Sequence, residues 1–308
     1  MSLEVTVVVP VRDRAFELQE LLDALAAQTL ARERFEVVIS GDGSADDAFD
    51  GLDGHGLTLR IVRGPARSSY AARNRGARAA AAPIVAFTDS DCRPEPGWLE
   101  AGLAAMAGAD LAAGLIRLEL PSPPSVWSLL DADTFLDQRR AVRAGVAMTA
   151  NLFVRRSALE AAGGMDESLP SNGDHDFVRR CRERGATLVL APDAVVRHPA
   201  REHASAFLRK WWVVHRCDAM RQARAGRWPR AARPVAWVPA VAAWRSRRWF
   251  GRSVSLDRGR LAELGARPRP AQHAAALPLI YLVLPYVAAA AQMGGWRAAR
   301  REMRRRSS

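Results

Sequence analysis

The sequence predicts an α/β fold: a doubly wound, mostly parallel sheet flanked by helices over residues 1–200, then a helical, basic extension over 201–308. Three observations predict it. Short β-branched runs alternate with stretches whose apolar residues recur at helical spacing, the rhythm of βαβ units. Polar turns rich in Gly, Asp and Arg follow several of those runs, at the strand ends where open α/β sheets bind ligands. Charge also divides the chain: residues 1–200 carry 22 Arg against 28 Asp and Glu, net −6, while 201–308 carry 23 Lys and Arg against 5 acids, net +18.

Val5–Pro10 is the first strand, and Phe16, Leu18, Leu21, Leu22 and Leu25 mark a helix over Phe16–Leu30. Phe35–Ile39 is the second strand and Leu57–Val62 a weaker third. Ser69–Ala81 is a helix and Ile84–Thr88 the fourth strand. Asp110–Leu120 follows as a strand, broken off by Pro121-Ser122-Pro123-Pro124. One helix is expected over Val126–Arg143, a strand over Val146–Val154, and a short helix from Arg156 to Gly163-Gly164. A helix over Asp174–Arg184 precedes two short strands, Leu188–Ala191 and Ala194–Arg197. Beyond His198 come a long helix, His203–Arg224, and two apolar runs, Pro234–Trp244 and Ala274–Met293.

Apolar residues make up 49 % and charged residues 25 % of the 308, ordinary values for a chain able to bury a core. A basic extension suits nucleic acid or anionic lipid. Seven of the nine Trp lie after residue 210, interleaved with Arg, and no helix-turn-helix, zinc or RNA-binding signature accompanies them. That pairing favours a lipid interface and speaks against a nucleic-acid partner. Ala274–Met293 has the 20 residues that a membrane crossing needs, yet Pro278 and Pro285 interrupt it and basic residues flank both ends. A peripheral in-plane helix or a re-entrant segment on the cytoplasmic face is therefore expected rather than a crossing, the alternative being a helix buried against the α/β domain. Cys92, Cys181 and Cys217 show no ligand or disulfide spacing and read as reduced thiols. Ser2-Leu3-Glu4 and the strand after it do not read as a signal sequence.

The chemistry gathers at strand ends. Ile84–Thr88 runs into Asp89-Ser90-Asp91, two hard oxygen ligands that suit a divalent cation able to hold phosphates, although a lone pair of this kind also makes a polar turn. Asp42, between Gly41 and Gly43, can accept hydrogen bonds from a base or ribose, or can form an Asx turn. Arg73 offers a planar fork to phosphate or ribose oxygens, or lies on the surface of an Arg- and Ala-rich helix. Asp174 opens a helix as an N-cap or takes a proton as general base. His198 follows a strand as a structural residue or a metal ligand.

Taken in order, Val9-Pro10-Val11-Arg12-Asp13, Ser40-Gly41-Asp42-Gly43-Ser44-Ala45-Asp46, Ala72-Arg73-Asn74-Arg75-Gly76, Asp89-Ser90-Asp91, Gly163-Gly164-Met165-Asp166-Glu167 and Gly173-Asp174-His175-Asp176-Phe177 with Arg180 resemble the inverting family 2 glycosyltransferases of GT-A fold. The resemblance covers roughly residues 3–200. It implies a nucleoside diphosphate sugar donor contacted by Pro10, Arg12, Asp42, Arg73 and Asp89. It also implies Mn²⁺ or Mg²⁺ on Asp91, Asp89 and His198, and Asp174 as the base. Asn151, Asp176 and Arg180 would stand on the acceptor side or support it, and the acceptor would be a lipid-linked or cell-surface glycan. Two departures stand out: Gly41-Asp42 where the family often has paired Asp, and Gly173-Asp174 where it has Glu-Asp. The QxxRW signature of processive synthases is absent, so transfer of one sugar is expected.

Three other functions compete. A dinucleotide-binding oxidoreductase would need its glycine motif after the first strand, whereas Gly41-Asp42-Gly43 follows the second and Asp46 stands where a third Gly belongs. A nucleotidyltransferase would need a Gly-rich loop where Pro10–Arg14 has no Gly. An inactive membrane-bound scaffold of the same fold would have no need to retain Asp89, Asp91 and Asp174 together.

Overall fold

The computed structural model describes residues 2–12, 15–44, 49–227, 256 and 258–307. They fall into two compact units. The first comprises residues 1–118, 136–169 and 173–199; the second comprises 119–135, 170–172 and 200–308. Sequence reading places a single boundary near residue 200. Two earlier pieces of chain belong with the second unit as well.

The first unit is built on one eight-stranded sheet. Its elements are β1 (Val5–Val11), α1 (Ala15–Ala26), β2 (Phe35–Gly41), β3 (Leu59–Val62), α2 (Ser69–Ala79), β4 (Ile84–Thr88), β5 (Arg93–Pro94), α3 (Trp98–Met106) and β6 (Leu111–Glu119). After α4 (Val126–Thr134), which lies in the second unit, come α5 (Gln138–Arg143), β7 (Asn151–Arg155), α6 (Arg156–Ala161), α7 (Gly173–Glu183) and β8 (Leu188–Pro199). The strand order is β3-β2-β1-β4-β7-β6-β8-β5. The half from β3 to β4 is parallel throughout, as βαβ connections require. Beyond β4 the sheet is mixed, because β7 runs antiparallel to both β4 and β6, and β5 antiparallel to β8.

Central strands buried on both faces read as continuous apolar runs, and β1 does so. Val7 and Val9 pack on one side with Leu18, Leu21, Leu22 and Leu25 of α1; Val8 packs on the other with Val38, Ala77 and Phe177. Burying each such side chain contributes ~1.5–3 kcal/mol. The parallel half also sets the site: β1, β2 and β4 all end at one edge, which carries Arg12, Asp42 and Asp89.

Several elements differ from expectation for local reasons. α1 stops at Ala26, not Leu30, because Gln28 and Thr29 turn aside to bond the carbonyls of Glu95 and Pro96. The single helix expected over Val126–Arg143 is two. Leu136 has φ +57° and Asp137 caps a new helix by accepting the Arg140 N–H at 2.9 Å. The strand expected from Val146 starts at Asn151, since the Gln138 side chain bonds both backbone groups of Met148 and the carbonyl of Asn151. The two short strands after α7 are one, β8.

The second unit is helical: α4, α8 (Ala204–Arg224), α9 (Arg258–Glu263), α10 (Pro270–Pro278) and α11 (Leu284–Ser307). One π-helical turn, Leu279–Val283, joins α10 to α11. A proline leaves the carbonyl one turn behind it without its helical donor, and a widened turn accommodates the gap. α11 packs along α8: the Trp211 indole N–H donates to the Leu284 carbonyl at 3.0 Å, and a Cβ on Gly295 would meet the Arg216 carbonyl at 2.2 Å. Ala274–Met293 is thus helical throughout, with no chain reversal of the kind a re-entrant hairpin needs. No helix among the described residues is long and apolar enough to cross a membrane. Pro234–Trp244 lies outside the described residues.

Candidate active site

Asp42 follows β2 and is 7 % exposed. Its N–H donates to the Val11 carbonyl, tying the ends of β1 and β2 together, while its carboxylate accepts the Arg67 N–H at 2.8 Å. The residue thus joins three segments of the sheet edge. Pro10 lies buried in β1 opposite Ser40, and Arg12 is exposed just beyond the strand. Asp13 and Asp46 of the same motifs lie outside the described residues.

α2 delivers the next group. Ser68 caps it by accepting the Ala71 N–H at 3.2 Å, and its hydroxyl donates to the Glu167 carbonyl. Gly76 seats the helix on the sheet, since a Cβ there would lie 2.4 Å from Val8. Each polar residue along Arg73-Asn74-Arg75 then has a separate task. Arg73, 5 % exposed, forms a short ion pair with Asp89. Asn74 donates to the Met165 carbonyl and to Glu167 and accepts the Met165 N–H, clamping the loop after α6. Arg75 donates to the Gly41 carbonyl at 2.6 Å, holding the turn that carries Asp42.

At the end of β4, Asp89 faces Arg73 and Asp91 faces His198, whose Nε2 lies 3.5 Å from the Asp91 carboxylate. The register explains the second contact. Arg93 pairs with Arg197 in antiparallel β5 and β8, which brings His198 back beside Asp91 and Cys92. The His198 Nδ1 lies 2.8 Å from the Pro199 carbonyl, which can only accept, so this contact fixes the ring with Nε2 toward Asp91. That is how a metal-binding imidazole is oriented. Asp91, Cys92 and His198 bring their donor atoms within 4.8 Å of one another. The Cys92 thiol is fully buried, which together with Asp89 and Asp91 pushes its pKa well above the usual thiol value. Its sulfur lies 3.7 Å from the Ala150 carbonyl. Carboxylate oxygen and imidazole nitrogen therefore make the set for a hard divalent ion, with the thiol as packing.

Asp174 stands in the first turn of α7, and its carboxylate accepts the His175 N–H at 2.9 Å. Sequence reasoning missed the residue beside it. Tyr70, 6 % exposed, packs its ring on Gly173 so closely that a Cβ there would lie 2.7 Å from a ring carbon. Burial and then the Asp174 charge push the Tyr70 phenol far above its ordinary value. The Arg73 guanidinium lies 5.7 Å from the centre of the same ring. Tyr70 therefore links the helix start bearing Asp174 to the Arg73–Asp89 pair, and its ring explains why residue 173 has no side chain. The only sequence signal was its place three residues before Arg73, one helical turn away.

The remaining expected residues have structural partners. Asn151 is fully buried: its amide donates to the carbonyls of Leu115 and Ala194 and accepts the Trp98 indole N–H at 2.8 Å. It staples β7 to its neighbours, and an acceptor contact would break that network. Asp176 is bonded by Arg180 and Arg179, and Arg180 also reaches the carbonyls of Ala162 and Gly164. Burial alone would raise the Asp176 pKa, but the two guanidiniums hold it below the usual carboxylate value. The pair locks α7 to the turn after α6.

The family model for glycosyl transferase family 2 matches residues 6–162. Glycosyltransferase AglE of Haloferax volcanii is 31 % identical over 210 residues, 64 % of this chain and 67 % of that protein. The pre-mycofactocin glycosyltransferase of Mycobacterium tuberculosis is 32 % identical over 219 residues, 68 % of this chain but only 44 % of that longer protein. Among solved structures, mannosyltransferase PcManGT from Pyrobaculum calidifontis superposes with TM-score 0.59 at 18 % identity, covering 97 % of this chain and 87 % of that one. S. aureus TarS residues 1–349 superposes with TM-score 0.53 at 18 % identity, covering 98 % and 92 %. These likenesses show a shared GT-A fold. The chain belongs to glycosyl transferase family 2 and is a glycosyltransferase.

Proposed function

We propose that the protein transfers one sugar, with inversion and dependent on a divalent metal, from a nucleoside diphosphate sugar to a hydroxyl of a lipid-linked or cell-surface glycan at the cytoplasmic face of a membrane. The observation that carries this reading is the pairing at one strand end of Arg73 with Asp89 and of Asp91 with His198. A cation for phosphate and a hard donor set for metal stand side by side there. The Arg73 Nε adds support, being buried without a partner among the described residues. Such a donor left unmade costs ~1–3 kcal/mol, which an oxygen of the donor nucleotide would recover. The PcManGT structure holds GDP-mannose and Mn²⁺, and TarS structures hold UDP and UDP-GlcNAc.

Asp91 and His198, with Asp89 beside them, would hold Mn²⁺ or Mg²⁺, which supplies charge neutralisation for the departing diphosphate. The residues of the chain do the rest. Asp174 takes the acceptor hydroxyl proton while that oxygen attacks the anomeric carbon from the face opposite the leaving group. The carbon–oxygen bond to the phosphate breaks and its electron pair leaves with the nucleoside diphosphate. Tyr70, neutral at working pH, fixes the turn that carries Asp174. Exposed Leu282, Val283 and Trp212 and the +18 charge of residues 201–308 support membrane attachment. A screen of nucleoside diphosphate sugars, read as diphosphate release with Mn²⁺ and with chelator, tests the proposal. Release that chelator does not reduce would remove the metal from it.

A further inference from the structure

Tyr70 and Arg73 stand one turn apart on α2, so their side chains leave the same face of the helix. Arg73 reaches Asp89 beyond β4, and Tyr70 reaches Gly173 at the start of α7. Both are deeply buried, at 5 % and 6 % exposure. Each nevertheless holds a hydrogen-bond donor that no described residue takes up. The Arg73 Nε is buried without a partner. The Tyr70 hydroxyl oxygen accepts the Gly173 N–H, but its own proton meets no acceptor among the described residues.

A phenol has one proton to give, and when buried it ordinarily gives it to a partner. Burial first, then the Asp174 charge, push the Tyr70 pKa far above its ordinary value, so the group stays an O–H and serves as a donor. Asp174 and Asp89 both bear on it through their charge, yet neither carboxylate accepts its proton. The Arg73 guanidinium lies 5.7 Å from the ring centre, near enough for the oxygens of one diphosphate to receive both donors. The ring itself is fixed, because it fills the space over Gly173 that a side chain would otherwise take. A cationic donor and a neutral one are thus held ready on one helix face, between the metal-side carboxylate and the base.

We propose that the Tyr70 hydroxyl donates to an oxygen of the β-phosphate of the sugar donor, beside the oxygens that Arg73 holds, which makes Tyr70 a donor-binding residue as well as the support of the Asp174 turn. The inference rests on the nucleoside diphosphate sugar of the proposed function. Position selects the β-phosphate over the α-phosphate. Asp174 must stand across the anomeric carbon from the leaving group, and the β-phosphate is the one bonded to the sugar. Its oxygens gain charge as the bond to the anomeric carbon breaks, so a fixed donor there strengthens its hold as transfer proceeds. Tyr70 keeps its proton throughout.

The test compares full-length wild type with Tyr70→Phe, which keeps the ring on Gly173 and removes only the hydroxyl. Each protein is titrated calorimetrically in Mn²⁺ with UDP, UMP, GDP and GMP. Whichever diphosphate the wild type binds should bind the variant at least ~tenfold more weakly, the scale of a lost hydrogen bond to a charged group. The matching monophosphate should bind both proteins alike, a difference that a merely structural role of the ring does not produce. Equal diphosphate affinity in the two proteins overturns the proposal. If the acid limb of the kcat profile then moves to higher pH in the variant, the hydroxyl serves Asp174 instead. If only the intact sugar nucleotide binds more weakly, it serves a sugar hydroxyl. Equal weakening of monophosphate and diphosphate also overturns it, leaving Tyr70 a packing role alone. Failure of the wild type to bind either diphosphate is a different result, which overturns the proposed donor class and this inference with it.

Discussion

Asp174 and Tyr70 make separable demands on substitution. Asp174→Asn keeps the shape and the bond from His175 but cannot take a proton, so transfer should fall by roughly 10²-fold or more while donor affinity stays within twofold. Steady-state kinetics with donor titration measure both, and wild-type turnover would move the base elsewhere. Gly173→Ala puts a methyl group into the Tyr70 ring and should cost ~1–3 kcal/mol of stability in denaturant unfolding. In a Tyr70→Leu background that cost should shrink, because the two residues share one space. Tyr70 also has a sign to check. Its folded value is raised, so the folded state keeps the proton longer, and stability should fall as pH rises beyond the ordinary phenol value of ~10. Tyr70→Phe should lack that component in melts between neutral and alkaline pH. Asp42, Asp89 and Asp174 stood out in the sequence because each sits in a motif at a strand end or helix start, and Arg73 because its motif lies inside a helix. Tyr70, Asn74 and Arg75 act through contacts with Gly173, Met165 and Gly41, separations that no local pattern announces.

At the level of elements, α7 is held to the turn after α6 by a polar tie. Asp176 bridges Arg179 and Arg180, and Arg180 grips the turn after α6. The lowered Asp176 value means its contribution is present above the usual carboxylate range and is lost as pH falls through the folded value. Asp176→Asn should therefore cost ~1–2 kcal/mol at pH 7, with the difference from wild type shrinking in acid, as pH-dependent melts would report. The sequence announced β1, β2 and β4 because strands buried on both faces are continuous apolar runs. It misplaced the break at Leu136–Asp137 because Val126–Arg143 keeps its helical spacing across the residue of positive φ. β8 was split at Pro192-Asp193, yet a strand near a sheet edge tolerates such residues.

At the scale of the whole molecule, charge asymmetry and an apolar helix face belong to residues 201–308. Leu282 is 56 % exposed and Trp212 41 %, although Ala276, Ile280, Leu284 and Ala291 of the same apolar stretch are buried. Trp212→Glu with Leu282→Glu should shift the protein toward the soluble fraction on flotation with anionic vesicles, and high salt should weaken binding without abolishing it. Equal flotation of the variant would mean that these side chains do not meet lipid. The sequence showed the composition of this region but not that α11 lies along α8, a pairing that depends on Gly295 and Trp211. The joint role of metal, donor cradle and base is tested by sugar-dependent nucleoside diphosphate release, measured for wild type and Asp91→Ala with Mn²⁺ and with chelator. Release by the wild type in Mn²⁺, with near-complete loss in chelator and in Asp91→Ala, is the predicted result. Equal release with and without metal, or in the presence and absence of Asp91, would contradict it.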